Sequence, residues 1–567
     1  MPTSHLRTCH LCEANCGIII SVEGRDVLSI KGDPDDPLSR GHICPKATAI
    51  ADLESDPDRL RTPVKRMGDQ WQPISWDTAY AEIASRFAAL RAAGGEAAMY
   101  IGNPTAHNYS IASQTPLLRK ALGAKAMFSA SSVDQVPHQL VQLWMYGHNA
   151  LFPIPDIDRT QHMVIIGGNP LASNGSVWTV PDVKQRIQDL QARGGRLTVI
   201  DPRRTETAAI ADAHHFIRPG SDPALLVALL LALDEAGLVA PGRLGAMLAG
   251  WDNAWAALRQ FDIAPLAAAC GIDEAAIRAL ATELGSGEPA IVYGRIGVST
   301  ASFGTLNHWL INLINIATGN LDRVGGAMFS TPAVDIVGQT GSGTRGRFHS
   351  RVSGHPEVLG EFPAVAMAEE IATPGEGQIK ALVTIAGNPV LSVPDGGALD
   401  TALDTLDLMV SIDMYVTATS AHADYILPPC SPLEKDHTRC SWPPSRRAIS
   451  PIIRRRCSNR RRAPKAIGKS SPNSPAPSPA PPGSRCPTSS TRAKPSTGCS
   501  NTRRAGCPSP MSRPIPMAWI SVLSNHGCPI ACAPPTKPSN ARPSKSSPTW
   551  PAASPTGSPK RPPTALC

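Results

Sequence analysis

Acidic residues are missing from the last quarter of this sequence. The 567-residue chain has 46 Asp and Glu, and none of them follows Asp436. Residues 438–567 nevertheless hold 22 of the 54 Lys and Arg, 27 of the 56 prolines and 8 of the 14 cysteines. The formal net charge of +8 is therefore the sum of an acidic part, residues 1–437, and a strongly basic part, residues 438–567. We interpret the two parts separately.

A long apolar segment is also absent. The longest apolar run is ALLVALLLAL, residues 224–233, which is too short to span a bilayer and predicts a buried helix. The N-terminus shows neither an apolar run behind a basic start nor a twin-arginine pair, so we predict no export signal and a cytoplasmic location. Thiols stay reduced in the cytoplasm, where closely spaced cysteines are metal ligands more often than disulfides.

Four cysteines near the N-terminus form the pattern C-x2-C-x3-C-x27-C, namely Cys9, Cys12, Cys16 and Cys44. Three thiolates within eight residues can surround one face of a polynuclear centre, and a distant fourth can complete the ligand set that iron–sulfur clusters need. A four-cysteine zinc site is the alternative, although such sites usually show two separated C-x2-C pairs. We predict a [4Fe–4S] cluster in a small β-rich domain over residues 1–60.

Lys46 follows the fourth cysteine in the stretch CPKA. A solvated side chain is the ordinary interpretation of a lysine, because lysine is rarely buried. Beside a cluster of negative net charge, an ammonium group would instead favour the reduced state and could connect the cluster to a second redox group. Both interpretations stay open at this point.

Strand and helix patterns alternate over residues 61–437. Five apolar runs end in small or turn-forming residues: HMVIIGGNP, RLTVIDPRRTETA, AIVYGRIGVS, ALVTIAGNPV and LMVSIDMYVTATS. Helical stretches lie between such runs, as in residues 75–95 and 181–195. The alternation predicts an α/β body of doubly wound parallel sheets, in which ligands bind beyond the carboxyl ends of the strands.

The G-x-G-x-x-G fingerprint of a standard dinucleotide fold is missing from these loops. One glycine after a strand is weak support for any ligand, since α/β proteins commonly have it. Five such loops beside a cysteine cluster indicate a large phosphate-bearing cofactor next to a redox centre. Glycines there let backbone N–H groups approach a pyrophosphate, and helix N-termini favour its charge.

In combination, these motifs resemble one family. The cysteine pattern with CPK is joined by GGNP, IDPRRTETA, RPGSD, YGRIGVS, ATGNLDRVGGA and AGNPVLS, as in the molybdopterin oxidoreductases. That family includes formate dehydrogenases, nitrate reductases and dimethyl sulfoxide reductase, and the resemblance covers about residues 5–437. It implies Mo or W held by two molybdopterin guanine dinucleotides, a [4Fe–4S] cluster, two-electron chemistry on a small-molecule substrate, and a redox partner protein or subunit. It implies neither a membrane span nor nucleic-acid binding.

The resemblance also assigns roles to residues. Lys46 would lie between the cluster and one pterin, on the electron path. Asp201 would accept hydrogen bonds from guanine N–H groups. The residues expected to contact the dinucleotides are Gly168, Asn169, Pro170, Asn174, Asp201, Pro202, Arg203, Thr205, Gly220, Asp222, Gly294, Gly297, Gly387, Asn388 and Asp413. For each single polar residue among them, a turn or helix-cap role is the alternative.

No cysteine occurs in the stretch FSASSVDQVPHQL, which matches the region that supplies a Cys or Sec metal ligand in formate dehydrogenases. Asp134 falls nearest to the ligand position, where its carboxylate would be a hard donor to molybdenum. A helix-capping or hydrogen-bonding role for Asp134 is at least as well supported. His138 is near enough to relay protons, and the ordinary pKa of histidine suits that role. The missing cysteine counts against formate oxidation.

Three interpretations compete for residues 438–567. A Pro/Ser/Arg-rich segment is typical of disorder, and its positive charge could bind nucleic acid with an affinity that falls steeply with salt. The third is a shifted reading frame, since wrong frames of GC-rich DNA favour Arg, Pro, Ala and Ser codons. Codons can be chosen that encode residues 451–476 and that, when translated from the third base of each codon, encode an acidic and amphipathic sequence instead. We favour the frameshift, which would replace the C-terminal dinucleotide-binding β-barrel of the family.

Two functional hypotheses follow for the acidic part. A molybdopterin oxidoreductase predicts iron, pterin and Mo or W in the purified protein. A non-catalytic iron–sulfur carrier or scaffold of the same fold predicts iron alone.

Overall fold

The structure of the chain is a computed structural model that describes residues 1–331 and 335–435. The basic tail, and with it the frameshift interpretation, lies outside the described residues. The strands are β1 Thr3–Thr8, β2 Gly17–Glu23, β3 Asp26–Gly32, β4 Val64–Met67, β5 Gln70–Pro73, β6 Glu96–Ile101, β7 Ala126–Ser129, β8 Ile154–Pro155, β9 His162–Ile166, β10 Arg196–Ile200, β11 Ala213–His215, β12 Ala290–Gly294, β13 Ala327–Met328, β14 Arg345–His349, β15 Pro356–Val358, β16 Ile379–Ile385, β17 Leu408–Ile412 and β18 Tyr425–Ile426.

Helices connect most of these strands. They are α1 Pro45–Thr48, α2 Ile50–Ser55, α3 Trp76–Ala92, α4 Pro104–His107, α5 Tyr109–Leu122, α6 Ser131–Asp134, α7 Val136–Tyr146, α8 Pro170–Ser173, α9 Val183–Ala192, α10 Glu206–Ala209, α11 Asp222–Glu235, α12 Trp251–Leu258, α13 Ile263–Cys270, α14 Glu274–Leu284, α15 Ile296–Ser299, α16 Gly304–Ala317, α17 Ile336–Thr340, α18 Ala366–Ala372, α19 Pro389–Ser392 and α20 Gly396–Leu403. Within the described part of the chain, no helix is both long enough and apolar enough to cross a bilayer.

The N-terminal unit is a three-stranded antiparallel sheet in the order β1-β2-β3. Gly24, with φ +61°, makes the turn between β2 and β3, and Ile18 and Ile20 of β2 point into a small core. Leu433, from the far end of the described chain, is buried in the same core. Arg7 holds this end in place, because its Nη2 donates to the carbonyl oxygens of Pro432 and Lys435. The predicted β-rich domain is therefore completed by residues distant in sequence.

One parallel sheet has the order β11-β10-β9-β12. Its side chains alternate between two cores: Val164 and Ile166 pack with α11, α14 and α16, whereas Met163 and Ile165 pack against α9 on the opposite face. Helices on both faces make this a doubly wound sheet, as predicted. The apolar run of residues 224–233 lies inside the buried helix α11.

The second sheet has seven strands in the order β5-β4-β18-β17-β16-β6-β7. The five strands from β18 to β7 are parallel, and β4 and β5 add an antiparallel edge. Here too alternate residues face different cores, with Leu382 and Met409 on one side and Val383 and Val410 on the other. The five predicted strand ends are thus divided between two sheets, three in the first and two in the second.

The helix predicted over residues 75–95 shows how local sequence sets its boundaries. The Oγ of Ser75 accepts a hydrogen bond from the backbone N–H of Thr78 at 3.0 Å and caps α3 at its start. Gly94, with φ +78°, follows the end of the helix. Ile83, Phe87 and Leu90 pack together against the second sheet. The helix predicted over residues 75–95 is confirmed, and Ser75 caps it.

The two parallel sheets contain an internal repeat. In the first, Asp212 accepts a hydrogen bond from the backbone N–H of Leu197 at 2.8 Å, and in the second Asp424 does the same for Met409 at 2.7 Å. The repeat includes the strand β9, the helix α8 and the strand β10 in one half, and β16, α19 and β17 in the other. The two sheets are therefore built alike.

Gly297 marks a place where two chain segments touch without side chains. A Cβ added to Gly297 would lie 2.8 Å from Cα of Gly167. We expect Gly297→Ala to lower the free energy of unfolding by about 1–3 kcal/mol, because neither backbone can move without displacing a strand end. Gly397→Ala in α20 is the matched control, since an added Cβ there meets nothing within 4 Å. Thermal denaturation of both variants measures the difference, and equal melting temperatures would contradict the close contact.

Candidate functional site

The four cysteines of the predicted cluster line one pocket. Cys9 directly follows β1 and Cys16 directly precedes β2, and the backbone N–H of Cys9 donates to the carbonyl of Cys16 at 2.8 Å. Cys44 precedes α1. The empty space between the lining residues, including the part open to solvent, is about 420 Å³. The lining residues are Cys9, Leu11, Cys12, Cys16, His42, Cys44, Lys46, Ala47, Asn174 and Pro181.

The chemistry of these thiols fits a polynuclear centre. Thiolate is the ligand that iron–sulfur clusters need, and four cysteines around one shared space are the donor set of a [4Fe–4S] cluster.

Burial keeps the free thiols of Cys9 and Cys12 neutral. Burial raises the pKa of Cys9 to about 12, and the hydrogen bond from the backbone N–H of Leu11 and the charge of Lys46 oppose that rise only in part. Burial likewise raises the pKa of Cys12, again against a lowering contribution from Lys46. Binding of a cluster to thiolates must therefore release these protons. Lys46 itself is exposed at the pocket wall, where it is coupled electrostatically to the cysteines.

Replacing a pocket cysteine tests the cluster directly. We expect Cys9→Ser to lower bound iron from about four atoms per chain to a small fraction, because a cubane cluster depends on all four thiolates. Cys430→Ser is the control, since Cys430 is a free and partly exposed cysteine that does not line the pocket. Iron analysis and the visible absorption of the cluster report the result. Full iron content in Cys9→Ser would refute the assignment.

Two Asn-Pro loops follow equivalent strands, β9 and β16. The Oδ1 of Asn169 accepts hydrogen bonds from the N–H and the Oγ1 of Thr207, at 3.2 and 2.7 Å. The Oδ1 of Asn388 accepts the same pair of bonds from Thr419, at 3.0 and 2.7 Å. In both loops the threonine Oγ1 also accepts a bond from the N–H of the residue after the proline. The carboxyl edge of each sheet is therefore fixed by the same three hydrogen bonds.

Sequence reasoning found Asn169 and Asn388 but missed their threonine partners. The repeated sequence GNP signals both asparagines. Thr207 and Thr419 lie far along the chain, in the stretches DPRRTET and DMYVTAT, and the pattern D-x3-T-x-T that these share is the signal that could have found them. Pro170 is buried at the start of α8.

Removing one threonine hydroxyl tests this arrangement. Thr419→Val would leave the N–H of Val390 without its acceptor and take one donor from Asn388. We expect the loop to lose about 1–3 kcal/mol of local stability, so the amide of Val390 should exchange hydrogen at least about fivefold faster. Thr419→Ser keeps the hydroxyl and should exchange nearly as the original protein does. Unchanged exchange in Thr419→Val would show that the hydroxyl contributes nothing.

The predicted glycines allow close packing at the strand ends. A Cβ at Gly168 would lie 3.0 Å from the side chain of Ile165, and one at Gly387 would lie 2.6 Å from the ring of Tyr100. A Cβ at Gly294 would lie 2.4 Å from the side chain of Ile311, so this glycine lets β12 pack closely against α16. Gly220, with φ +79°, has open space around it and serves the turn before α11.

Carboxylates stand at corresponding positions in both sheets. Asp201 follows β10 and accepts a hydrogen bond from the N–H of Arg203 at 2.8 Å, whereas Asp413 follows β17 and accepts one from Met414 at 2.6 Å. Burial raises the pKa of Asp413 and that of Asp222, and the nearby charge of Asp201 raises the pKa of Asp222 further. Carboxylates at these edges can accept N–H groups of a bound ligand.

Other predicted contacts have local structural roles. Thr205 is buried, and its side chain accepts a hydrogen bond from the N–H of Ala208 at 3.1 Å, so it caps α10. Pro202 and Arg203 are exposed. Asn174, with φ +53°, lines the cysteine pocket. The loop that begins at Asn169 therefore ends against the cluster site.

Asp134 lies in a partly buried polar group with Arg295. It is the last residue of α6, and the residue that caps α7 is Gln135, so Asp134 caps neither helix. Its Oδ2 is 3.5 Å from Nη2 of Arg295. Burial raises the pKa of the Asp134 carboxyl although the charge of Arg295 opposes that rise. Sequence reasoning named Gly294 and Gly297 and passed over Arg295 between them.

His138 differs from the expectation of a histidine that titrates near neutral pH. Its ring is buried and stacks on that of His308, with 4.2 Å between ring centroids and 7° between ring planes. Burial, the neighbouring His308 and the charge of Arg295 lower the pKa of His138 well below its ordinary value. The imidazole is therefore neutral, and a role for it as a proton relay stays a prediction.

Comparison with known proteins identifies the family. The model of the molybdopterin oxidoreductase family matches residues 59–442, and the model of the molybdopterin oxidoreductase Fe4S4 domain matches residues 6–55. The chain belongs to the molybdopterin oxidoreductase family. The two matched domains indicate a [4Fe–4S] cluster and molybdopterin with Mo or W as its cofactors.

Curated relatives cover most of this chain. "Probable oxidoreductase YyaE" of Bacillus subtilis (strain 168) is 25% identical over 77% of this chain and 63% of its own length. The thiosulfate reductase molybdopterin-containing subunit PhsA of Salmonella typhimurium is 26% identical over 76% of this chain and 58% of its own length. The chain thus spans about three fifths of the length of these relatives.

A solved structure supports the fold. Acetylene hydratase from Pelobacter acetylenicus aligns with a TM-score of 0.67 at 20% sequence identity, over 80% of this chain and 66% of that one. The two parallel sheets and the small N-terminal sheet described above are thus an arrangement found in an experimentally determined protein.

Proposed function

We propose that this protein is a molybdopterin-dependent oxidoreductase that carries out two-electron redox chemistry on a small molecule. Electrons would pass singly through the [4Fe–4S] cluster to a redox partner protein. The observation that carries the proposal is that the Asn169 loop also supplies Asn174 to the cysteine pocket. One short segment therefore joins the edge where a dinucleotide would bind to the site of the cluster.

The residues present fit such a cofactor. The equivalent loops at Asn169 and Asn388 would hold its two dinucleotides at the carboxyl edges of the two sheets. Asp201, Asp222 and Asp413 would accept the N–H groups of guanine. Lys46 at the wall of the cysteine pocket would lie between the cluster and one pterin. When bound, the cofactor supplies the two-electron chemistry, and the protein supplies position and electrostatic environment.

Asp134 remains our proposed protein ligand of the metal. It lies on the same edge as Arg295, within a group of polar side chains and beside the carboxyl ends of the first sheet. The raised pKa of its carboxyl means that it holds a proton to higher pH than an ordinary aspartate unless a metal or another cation replaces that proton. The absence of a cysteine in this stretch favours a substrate other than formate.

We also propose that residues 438–567 are read in a shifted frame and that the protein is cytoplasmic. The family match ends at residue 442, close to the last acidic residue, Asp436. Sequencing the gene around the codon for His437 tests the frame. An intact frame there, confirmed by the mass of the purified protein, would leave a basic tail whose nucleic-acid affinity can be measured against salt.

Metal and nucleotide analysis of the purified protein tests the function. We expect iron near four atoms per chain, together with Mo or W and with GMP released by acid from the dinucleotide. A chain with the restored frame is the matched comparison, and it should hold more dinucleotide if the shifted tail replaces part of that site. Zinc alone would refute the proposal. Iron without pterin in both chains would favour the non-catalytic carrier.

A further inference from the structure

One peptide group of the cysteine loop is hydrogen-bonded at both of its ends. Its N–H, which belongs to Leu11, donates to the thiol of Cys9. Its carbonyl, which belongs to His10, accepts a hydrogen bond from Nε2 of His107 at 2.8 Å, and Nδ2 of Asn108 lies 3.5 Å from the same oxygen. A hydrogen bond to a peptide carbonyl polarises the group and strengthens its N–H as a donor. His107 therefore acts on Cys9 through a single peptide group.

His107 reaches the cysteine loop from the second sheet. It is the last residue of α4, a short helix just after β6, and it is fully buried. The N–H of Gly102, between β6 and α4, donates to the carbonyl of Ile385 at 2.8 Å and ties this connection to β16. Burial lowers the pKa of His107, so its ring is neutral. Because a carbonyl oxygen only accepts, the ring hydrogen is on Nε2.

The same arrangement occurs at Cys12. The N–H of Ala14 donates to the thiol of Cys12. The carbonyl of that peptide group belongs to Glu13 and accepts a hydrogen bond from Nδ2 of Asn15 at 3.1 Å. Asn15 is buried and has φ +46°, which is unfavourable for residues other than glycine. At both cysteines, then, a buried side chain bonds the carbonyl of the peptide group that donates to the thiol.

Hydrogen bonds to the sulfurs are one of the factors that set the reduction potential of an iron–sulfur cluster. Reduction adds negative charge to the cluster, and an N–H dipole that points at a ligand sulfur stabilises the more negative state. We propose that His107 is a positioning residue for the [4Fe–4S] cluster, because it holds and polarises the His10–Leu11 peptide and thereby raises the reduction potential. The inference rests on the cluster of the proposed function, but not on its molybdopterin chemistry.

The first experiment measures the reduction potential of the cluster in the purified full chain, by redox titration followed with EPR. His107→Phe keeps an aromatic ring and removes the donor. We expect the equilibrium constant for one-electron reduction to fall about threefold to tenfold, which is about 30–60 mV at ~59 mV for each tenfold change. His107→Gln, whose side-chain amide can donate to the same carbonyl, should restore most of the original potential.

Two results for these variants would overturn the proposal. One is an unchanged potential in His107→Phe at full iron content, and the other is an equal shift in His107→Phe and His107→Gln. Loss of iron from His107→Phe alone would support the proposal, because the donor kept in His107→Gln then accounts for its intact cysteine loop. Loss of iron from both variants alike would show that the shape of the ring matters rather than its hydrogen bond, and would overturn the proposal.

His162→Phe is the matched control for the loss of a buried histidine. His162 is buried like His107, but it begins β9 and does not line the cysteine pocket. The variant should melt at a lower temperature, since it loses the hydrogen bond between Nε2 and the Oγ1 of Thr198, and should keep the original potential. An equal shift of the potential in His162→Phe would attribute the effect of His107→Phe to general destabilisation and overturn the proposal.

A spectroscopic measurement tests the peptide itself. In the reduced protein, the N–H of Leu11 should appear by ENDOR as an exchangeable proton coupled to the cluster. This coupling should be weaker in His107→Phe and should recover in His107→Gln, whereas a coupling that is the same in all three proteins would contradict the proposal.

Failure of the proposed function would give a different result. Iron near about four atoms per chain, without Mo, W and pterin, would refute the molybdopterin chemistry and leave the cluster potential measurable. Absence of iron from the original protein would refute both the proposed function and the role of His107.

Discussion

Backbone contact at the carboxyl edges of the two parallel sheets is the constraint on which the candidate site depends. In the first sheet Gly297 lies against Gly167, and in the second a Cβ at Gly102 would lie 1.8 Å from the carbonyl oxygen of Ala386. Glycine alone permits such contact, because any side chain would push the two loops apart. The Asn-Pro loops then start from fixed positions, so the residues that follow them are preorganised before a ligand binds.

The repeat makes the halves alike where a cofactor would bind and unlike where chemistry would take place. Asn169 and Asn388 share their hydrogen bonds, and Asp201 and Asp413 share their place after a strand. The register places Arg295 beside Gly167 in one sheet and Gly102 beside Ala386 in the other. One half thus presents a cation at the position where its counterpart presents only backbone. Two similar sheet edges, each able to bind a similar ligand, can in this way surround a reactive site that is not symmetric.

The sequence predicts the parts of this protein that follow from local chemistry. Helix α3, the five strand ends and the four-cysteine pocket all come from local sequence patterns. The division of the strands between two sheets could not be predicted, since pairing depends on contacts between residues hundreds of positions apart. Arg295 was missed for a related reason: its importance comes from neighbours in space, and a lone arginine carries no periodic signal. Thr207 was missed although the pattern D-x3-T-x-T around it recurs at Thr419.

The neutral state of His138 is another property that could not be predicted from the sequence. Its ordinary pKa suggested a group that titrates near neutral pH, but burial against His308 and the nearby Arg295 reverses that expectation. Residue type gives the starting value, and only the folded surroundings give the shift.

Leu433 is part of the core of the N-terminal sheet, and Arg7 binds the carbonyls of Pro432 and Lys435. A domain encoded first is therefore finished by residues encoded more than four hundred positions later. During synthesis the cysteines emerge early, yet the core around Cys9 is incomplete until Leu433 has left the ribosome. Domains generally fold in the order in which they are made. Here the core that Cys9 shares with Leu433 is complete only after most of the chain has been made.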